Sequence, residues 1–250
     1  MNVPSISSLK QAIKKNCSSC QVHELCLSAG MSADDTERLS TITPQRLRVR
    51  KGSALYHAGD PLRSLYAVHV GFFKTTMSSE DGREQVTGFL MGGDLMGIDA
   101  ISNDMHPCHS IALEDSEVCP VNFNQLQKLS RELPPLQHSL NRIFSQEIVR
   151  NHEMLQLMGT LSAEERMAAF LLDMSNRMRT RGYSPTTFVL RMTREDIGSY
   201  LGLRLETICR AIAVLRDHGM VSISGRTVEI LCLSQLIQFI NGVGHRSHQR

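Results

Sequence analysis

The chain has 250 residues, 41% hydrophobic and 21% charged, enough to bury the cores of two modest domains and too apolar for a disordered chain. No stretch approaches the roughly 18 apolar residues of a membrane span, and Lys10, Lys14 and Lys15 open the chain without an apolar export core, which predicts a cytoplasmic protein with no membrane partner. Net charge is only +2 but uneven: residues 177–250 hold eleven Arg, no Lys and five acids, giving +6, which leaves −4 for residues 1–176. Such asymmetry suits phosphate contact, although a solvated basic face would also produce it.

Cys17, Cys20 and Cys26 form a C-x2-C-x5-C array within ten residues. Thiolates this close repel unless a cation neutralises them, and a two-residue gap turns both sulfurs toward one centre. A metal or iron–sulfur site therefore accounts for the array better than core packing. Seven cysteines, an odd number, also argue for reduced thiols over a complete set of disulfides. Three ligands require a fourth from elsewhere, and Cys108, Cys119 and His23 each offer an atom.

Ser32-Ala-Asp-Asp35 predicts the capped start of a short helix that ends before Pro44. From residue 46 to about residue 121, alternating runs such as Arg46-Leu-Arg-Val49 and Leu65-Tyr-Ala-Val68 are broken at Gly52, Gly59-Asp60, Gly71, Asp81-Gly82 and Gly92-Gly93-Asp94. That rhythm predicts a small antiparallel barrel or jelly roll. Asn122 caps a helix that stops before Pro134-Pro135, where a long helix begins. Along it, Asn141, Phe144, Ile148, Asn151, Leu155 and Met158 alternate steps of three and four, the seam of a two-helix coiled coil. A helix lying on its own barrel would have the same spacing, and the two Asn suit a dimer that forms conditionally.

Ser162-Ala-Glu-Glu165 is a capping box for a helix to about Arg179, followed by a turn at Arg181-Gly-Tyr-Ser-Pro185. Thr193, with Asp196 three residues on, opens another helix, and Leu201-Gly-Leu203 turns the chain into a second helix from about Arg204. This is a helix-turn-helix. Leu205, Ile208, Ala211, Ile212 and Leu215 mark the apolar side of the second helix, leaving Glu206, Thr207, Cys209, Arg210 and Arg216 to face a groove. Gly219 ends it, and Val221–Ile230 reads as two strands about Gly225, the wing of a winged helix. Glu206 and Arg210 stand one turn apart. Within this motif they read cytosine N4 and guanine O6/N7 better than they form a surface ion pair.

The cysteine array, the glycine-punctuated barrel, the seam helix and Glu206-Thr-Ile-Cys-Arg210 together resemble the FNR branch of the CRP/FNR regulators, as do Asp196-Ile-Gly-Ser-Tyr-Leu-Gly-Leu203, Ala163-Glu-Glu-Arg-Met-Ala-Ala-Phe170 and Arg181-Gly-Tyr-Ser-Pro185. The resemblance implies an α+β chain: a cysteine-bearing segment at 1–30, a cyclic-nucleotide-binding-like β jelly-roll sensor domain at 31–133, a dimerisation helix at 134–161 and a winged helix-turn-helix DNA-binding domain at 162–250. It also implies a non-enzymatic, oxygen-responsive regulator in which Cys17, Cys20, Cys26 and Cys119 hold a [4Fe–4S] cluster. The cluster would favour a homodimer, through Phe144, Ile148, Asn151, Leu155 and Met158, that binds a TTGAT–ATCAA-like palindrome and regulates anaerobic genes. Cys108 is the second choice for fourth ligand, and Cys232 reads as an ordinary small core residue.

The family's recognition motif usually carries Ser where this chain has Cys209, which implies altered preference at the outer bases. The Asp81-Gly82 tip reads as a solvated turn, and the resemblance offers RNA polymerase as its partner. Residues 93–112 contain no Lys or Arg and carry Asp94, Asp99 and Asp104, so no cyclic nucleotide is expected. The alternatives are a zinc- or thiol-based redox regulator of the same fold, and a cupin-like metalloenzyme using His106 and His109. For the latter no third His completes a constellation, and the two histidines read as surface residues.

Overall fold

The computed structural model describes residues 17–43, 45–79 and 81–241. Lys10, Lys14 and Lys15, with the rest of the first sixteen residues of the predicted cysteine-bearing segment, lie outside the described residues, as does the chain beyond residue 241. Two compact units divide between Glu147 and Ile148.

In the first unit, Ser32 accepts a hydrogen bond from the Asp35 N–H and starts α1 (Ala33–Thr41). The strands β1 (Leu47–Val49), β2 (Ala54–Tyr56), β3 (Ser64–Val70), β4 (Phe72–Ser78), β5 (Glu84–Met91), β6 (Leu95–Met96), β7 (His109–Ala112) and β8 (Ser116–Asn122) follow. They form two four-stranded antiparallel sheets ordered β1-β8-β3-β6 and β2-β7-β4-β5, the jelly roll that the turn spacing predicts. Asn122 caps α2 (Phe123–Glu132), and α3 (Pro134–Thr160) opens on two prolines, where a missing N–H costs nothing.

One core joins the elements that matter for function. Leu27 from the cysteine segment, Leu39 from α1, Leu65, Ala67 and Val121 from the sheet, Leu133 between α2 and α3, and Leu136 in the first turn of α3 pack together. Cys26, Cys119, Leu140 and Ile143 lie against them. A second core, with Val49, Tyr56, Val68, Phe73 and Cys108, fills the rest of the roll.

In the second unit, the Ser162–Glu165 capping box opens α4 (Ala163–Thr180). A second box, Thr193–Asp196, opens α5 (Arg194–Leu201). Gly198 lets α5 approach the turn that follows it, because a Cβ there would stand 2.7 Å from the Leu203 carbonyl oxygen. The helix α6 (Leu205–Asp217) buries Ile208, Ala211, Ile212 and Leu215. Leu205, the first residue of α6, departs from the predicted apolar side: it is 37% exposed.

The wing strands β10 (Val221–Ser224) and β11 (Thr227–Ile230) gain a third partner, β9 (Thr187–Val189), which pairs with β11. A last helix, α7 (Leu233–Ile240), also lies outside the sequence-based expectations. Cys232 is not a core residue: it occupies the N-cap of α7, partly exposed, with its sulfur 3.4 Å from Ser234 Oγ.

Candidate functional site

The cysteine segment is a string of tight turns, with Cys20, His23, Cys26 and Ala29 each donating a backbone N–H to the carbonyl three residues earlier. It is anchored at Cys17, whose N–H donates to Ser40 Oγ at 3.1 Å and whose sulfur lies 3.5 Å from Thr43 Oγ1. Gly92 and Gly93 form the bed beneath it. A Cβ on Gly93, where φ is +96°, would stand 2.6 Å from Leu25 Cβ.

Folded this way, Cys17, Cys20 and Cys26 line one cavity with Cys119 from β8, and Arg46 and His69 complete its polar wall. Cys20 Sγ lies 3.5 Å from His69 Nδ1 and accepts from Arg46 Nη2 at 3.8 Å. Burial pushes the Cys26 thiol up to about 12, with repulsion from Cys119, Cys17 and Cys20 adding to it against the Leu27 N–H. Cys119 is also raised, chiefly by burial, with Arg46 opposing the rise.

The other two candidates for a fourth ligand stand apart from this cavity. Cys108 is buried in the second core, where its thiol donates to Asp99 Oδ2 at 3.2 Å. His23 faces Glu24 at 3.8 Å. His106 is not a surface histidine: it is 3% exposed and stacks on Tyr56 with ring centroids 3.8 Å apart, while His109 on β7 pairs with His57. Among the described residues, no three His, Cys, Asp or Glu side chains converge tightly enough to grip one metal ion.

On α6, Glu206 and Arg210 are exposed, and Thr207 and Cys209 are partly so. No ion pair joins Glu206 to Arg210 among the described residues; Arg210 Nη2 instead donates to Thr207 Oγ1 at 3.5 Å. Arg194, which sequence reasoning passed over, donates Nη1 to Cys209 Sγ at 3.6 Å and so brings a second cation to this face. Its place as the first residue of α5 was the available signal. On α3, Ile148 is 55% and Leu155 68% exposed, Asn141 and Asn151 are exposed, and Phe144 and Met158 are half-buried.

Residues 46–132 match the cyclic nucleotide-binding domain model, and residues 165–239 match the Crp-like helix-turn-helix domain. The transcriptional regulatory protein btr of Bordetella pertussis is 41% identical over 90% of this chain and 93% of its own length. The chain belongs to the CRP/FNR family. Its members are transcription regulators rather than enzymes, and their helix-turn-helix binds DNA. The fumarate and nitrate reduction regulatory protein of Vibrio cholerae is 40% identical over 93% of this chain and 92% of its own length. Among solved structures, FixK2 from Bradyrhizobium japonicum is 29% identical with a TM-score of 0.71, covering 77% of this chain and 95% of its own. A CRP/FNR-family regulator from Thermus thermophilus, at 20% identity and TM-score 0.63 over 78% of this chain and 98% of its own, shares the fold. Among the described residues no helix is long and apolar enough to cross a membrane.

Proposed function

We propose that this CRP/FNR regulator is cytoplasmic and oxygen-responsive, with a [4Fe–4S] cluster held by Cys17, Cys20, Cys26 and Cys119. The observation that carries this reading is that these four thiols wall one cavity and that two of them, Cys26 and Cys119, border the core under the start of α3. The donor set fits the group. A tetrahedral zinc site would draw its sulfurs to about 3.8 Å, given Zn–S bonds of about 2.3 Å, whereas in a cubane each thiolate binds a different iron and the sulfurs stand farther apart. Four cysteines around one cavity supply the ligand set of the second arrangement.

When bound, the cluster supplies an oxygen-labile centre that cross-links the segment to β8. The chain's own residues then transmit its presence. Leu27 and Leu136 share a core, so ordering the segment orders the first turns of α3, the helix whose later turns carry the open Ile148 and Leu155. Pairing of that face across a two-fold axis sets two α6 helices at the spacing of a palindromic site. There Arg210, Glu206, Thr207 and Cys209 read a TTGAT–ATCAA-like sequence, with Arg194 beside them. The domain boundaries near 30, 133 and 161 follow from the same assignment, as does contact of the Asp81–Gly82 tip with RNA polymerase. Cyclic nucleotide has no part in this scheme: Asp94 and Asp99 are engaged with the Met91 N–H and the Cys108 thiol, and their charge opposes a phosphate.

The test is anaerobic purification with iron and sulfide analysis. A brown protein with about four of each per chain, bleaching in air, is the expected result. A colourless, air-stable zinc protein would replace the cluster with the zinc regulator of the same fold.

A further inference from the structure

Arg46 enters the cysteine cavity from just before β1 and is 8% exposed. Its Nη2 donates to Cys20 Sγ at 3.8 Å, and its positive charge opposes the upward push of burial on the Cys119 thiol in the same cavity. Among the described residues no carboxylate pairs with it. Burying a guanidinium is costly unless negative charge compensates it, and no carboxylate beside Arg46 supplies that charge among the described residues. A [4Fe–4S] core of +2 held by four thiolates carries −2 in total, and two of those four sulfurs lie within Arg46's reach.

We propose that Arg46 is the buried counter-charge of the sulfur site, a positioning residue that donates to the Cys20 and Cys119 sulfurs and raises the reduction potential of the cluster they hold. Positive charge and N–H···S bonds at cluster ligands offset negative charge and so favour the more reduced, more negative state. The inference rests on the cluster reading above, and also makes a claim about the metal-free protein: there Arg46 is a liability.

The experiment uses the full chain and its Arg46→Met and Arg46→Lys variants, each reconstituted anaerobically with iron and sulfide. Iron content, midpoint potential and metal-free melting temperature are measured. Arg46→Met is expected to melt no lower than the parent when metal-free. When loaded, its potential should be more negative by about tenfold in the redox equilibrium, ~59 mV for one electron. Arg46→Lys, which keeps the charge, should recover at least half of that shift. An Arg46→Met protein that is folded but no longer loads supports the counter-charge equally. A parent-like potential in Arg46→Met, or a lower metal-free melting temperature, assigns Arg46 to packing and overturns the proposal. A parent chain that takes up no iron overturns the cluster reading itself, which the parent's iron content alone decides.

Discussion

Ser139 on α3 donates its hydroxyl to the backbone carbonyl of Ala29 at 3.2 Å, across 110 residues of sequence. Ser139 is 2% exposed and Leu136 beside it is fully buried, so the cysteine segment and the first turns of α3 are parts of one packed body. In close-packed interiors such contacts switch between arrangements rather than stretch. A cluster that orders the segment would therefore act directly on the first turns of α3.

Gly93→Ala should release the segment while sparing the roll. The new Cβ would meet Leu25 Cβ at 2.6 Å in a backbone conformation, φ +96°, that L side chains rarely adopt. The expected cost is about 1–3 kcal/mol, borne by the weaker partner, the segment. Reconstitution should give several-fold less iron per chain, with the far-ultraviolet spectrum unchanged.

Cys119→Ser should abolish stable cluster loading, whereas Cys108→Ser should leave it intact, because Cys119 lines the cavity and Cys108 sits in the other core against Asp99. Iron and sulfide analysis of the two variants checks this. Loading retained by Cys119→Ser and lost by Cys108→Ser would reverse the assignment.

Leu155→Glu tests the seam. At 68% exposure the side chain contributes little to its own unit, so the monomer's stability should change by about 0.5 kcal/mol at most. A two-fold interface loses both copies, about 3 kcal/mol or more, which is roughly a hundredfold in the dimerisation constant. Analytical ultracentrifugation of the loaded protein measures it.

Much of this architecture rests on local chemistry that a sequence displays. Ser32, Asn122, Ser162 and Thr193 each accept from the N–H three residues on, and Pro134 and Pro135 start α3. What escaped lacked such signals. The three residues of β9 are a strand only because β11 offers an edge, and α7 begins at Cys232 with no side-chain cap. The contact of Arg46 with Cys20 spans 26 residues, and the stacking of His106 on Tyr56 depends on neither residue's neighbours in sequence. The array itself was legible as three ligands, but its bed of Gly92–Gly93 and its buried cation were not.

Cys209→Ser should change selectivity at the outer bases of the site. The thiol lies 3.6 Å from Arg194 Nη1 and is a poor hydrogen-bond partner for a base edge, whereas a hydroxyl donates and accepts. Competition binding with single-base variants of the palindrome is the measurement, and unchanged selectivity would remove Cys209 from the reading set.

Alkaline stability carries the signature of Cys108. Burial first, then the Asp99 carboxylate, pushes its thiol from 9.0 up to about 12, so the folded state keeps a proton that the unfolded chain releases. Its contribution is complete below pH ~9 and is lost as pH rises toward 12, at no more than about 1.4 kcal/mol per pH unit. Denaturant midpoints of metal-free protein at pH 8 and pH 10 should fall less steeply in Cys108→Ala than in the parent.

In the proposed scheme the cysteine site controls the DNA-binding dimer. DNA affinity and sedimentation of the same anaerobic sample, measured before and after admitting air, test it most directly. A dimer that binds the palindrome tightly is expected before exposure, with loss of the cluster, the dimer and most of the affinity together afterwards. A cluster that bleaches in air while affinity and dimer stay unchanged would contradict it.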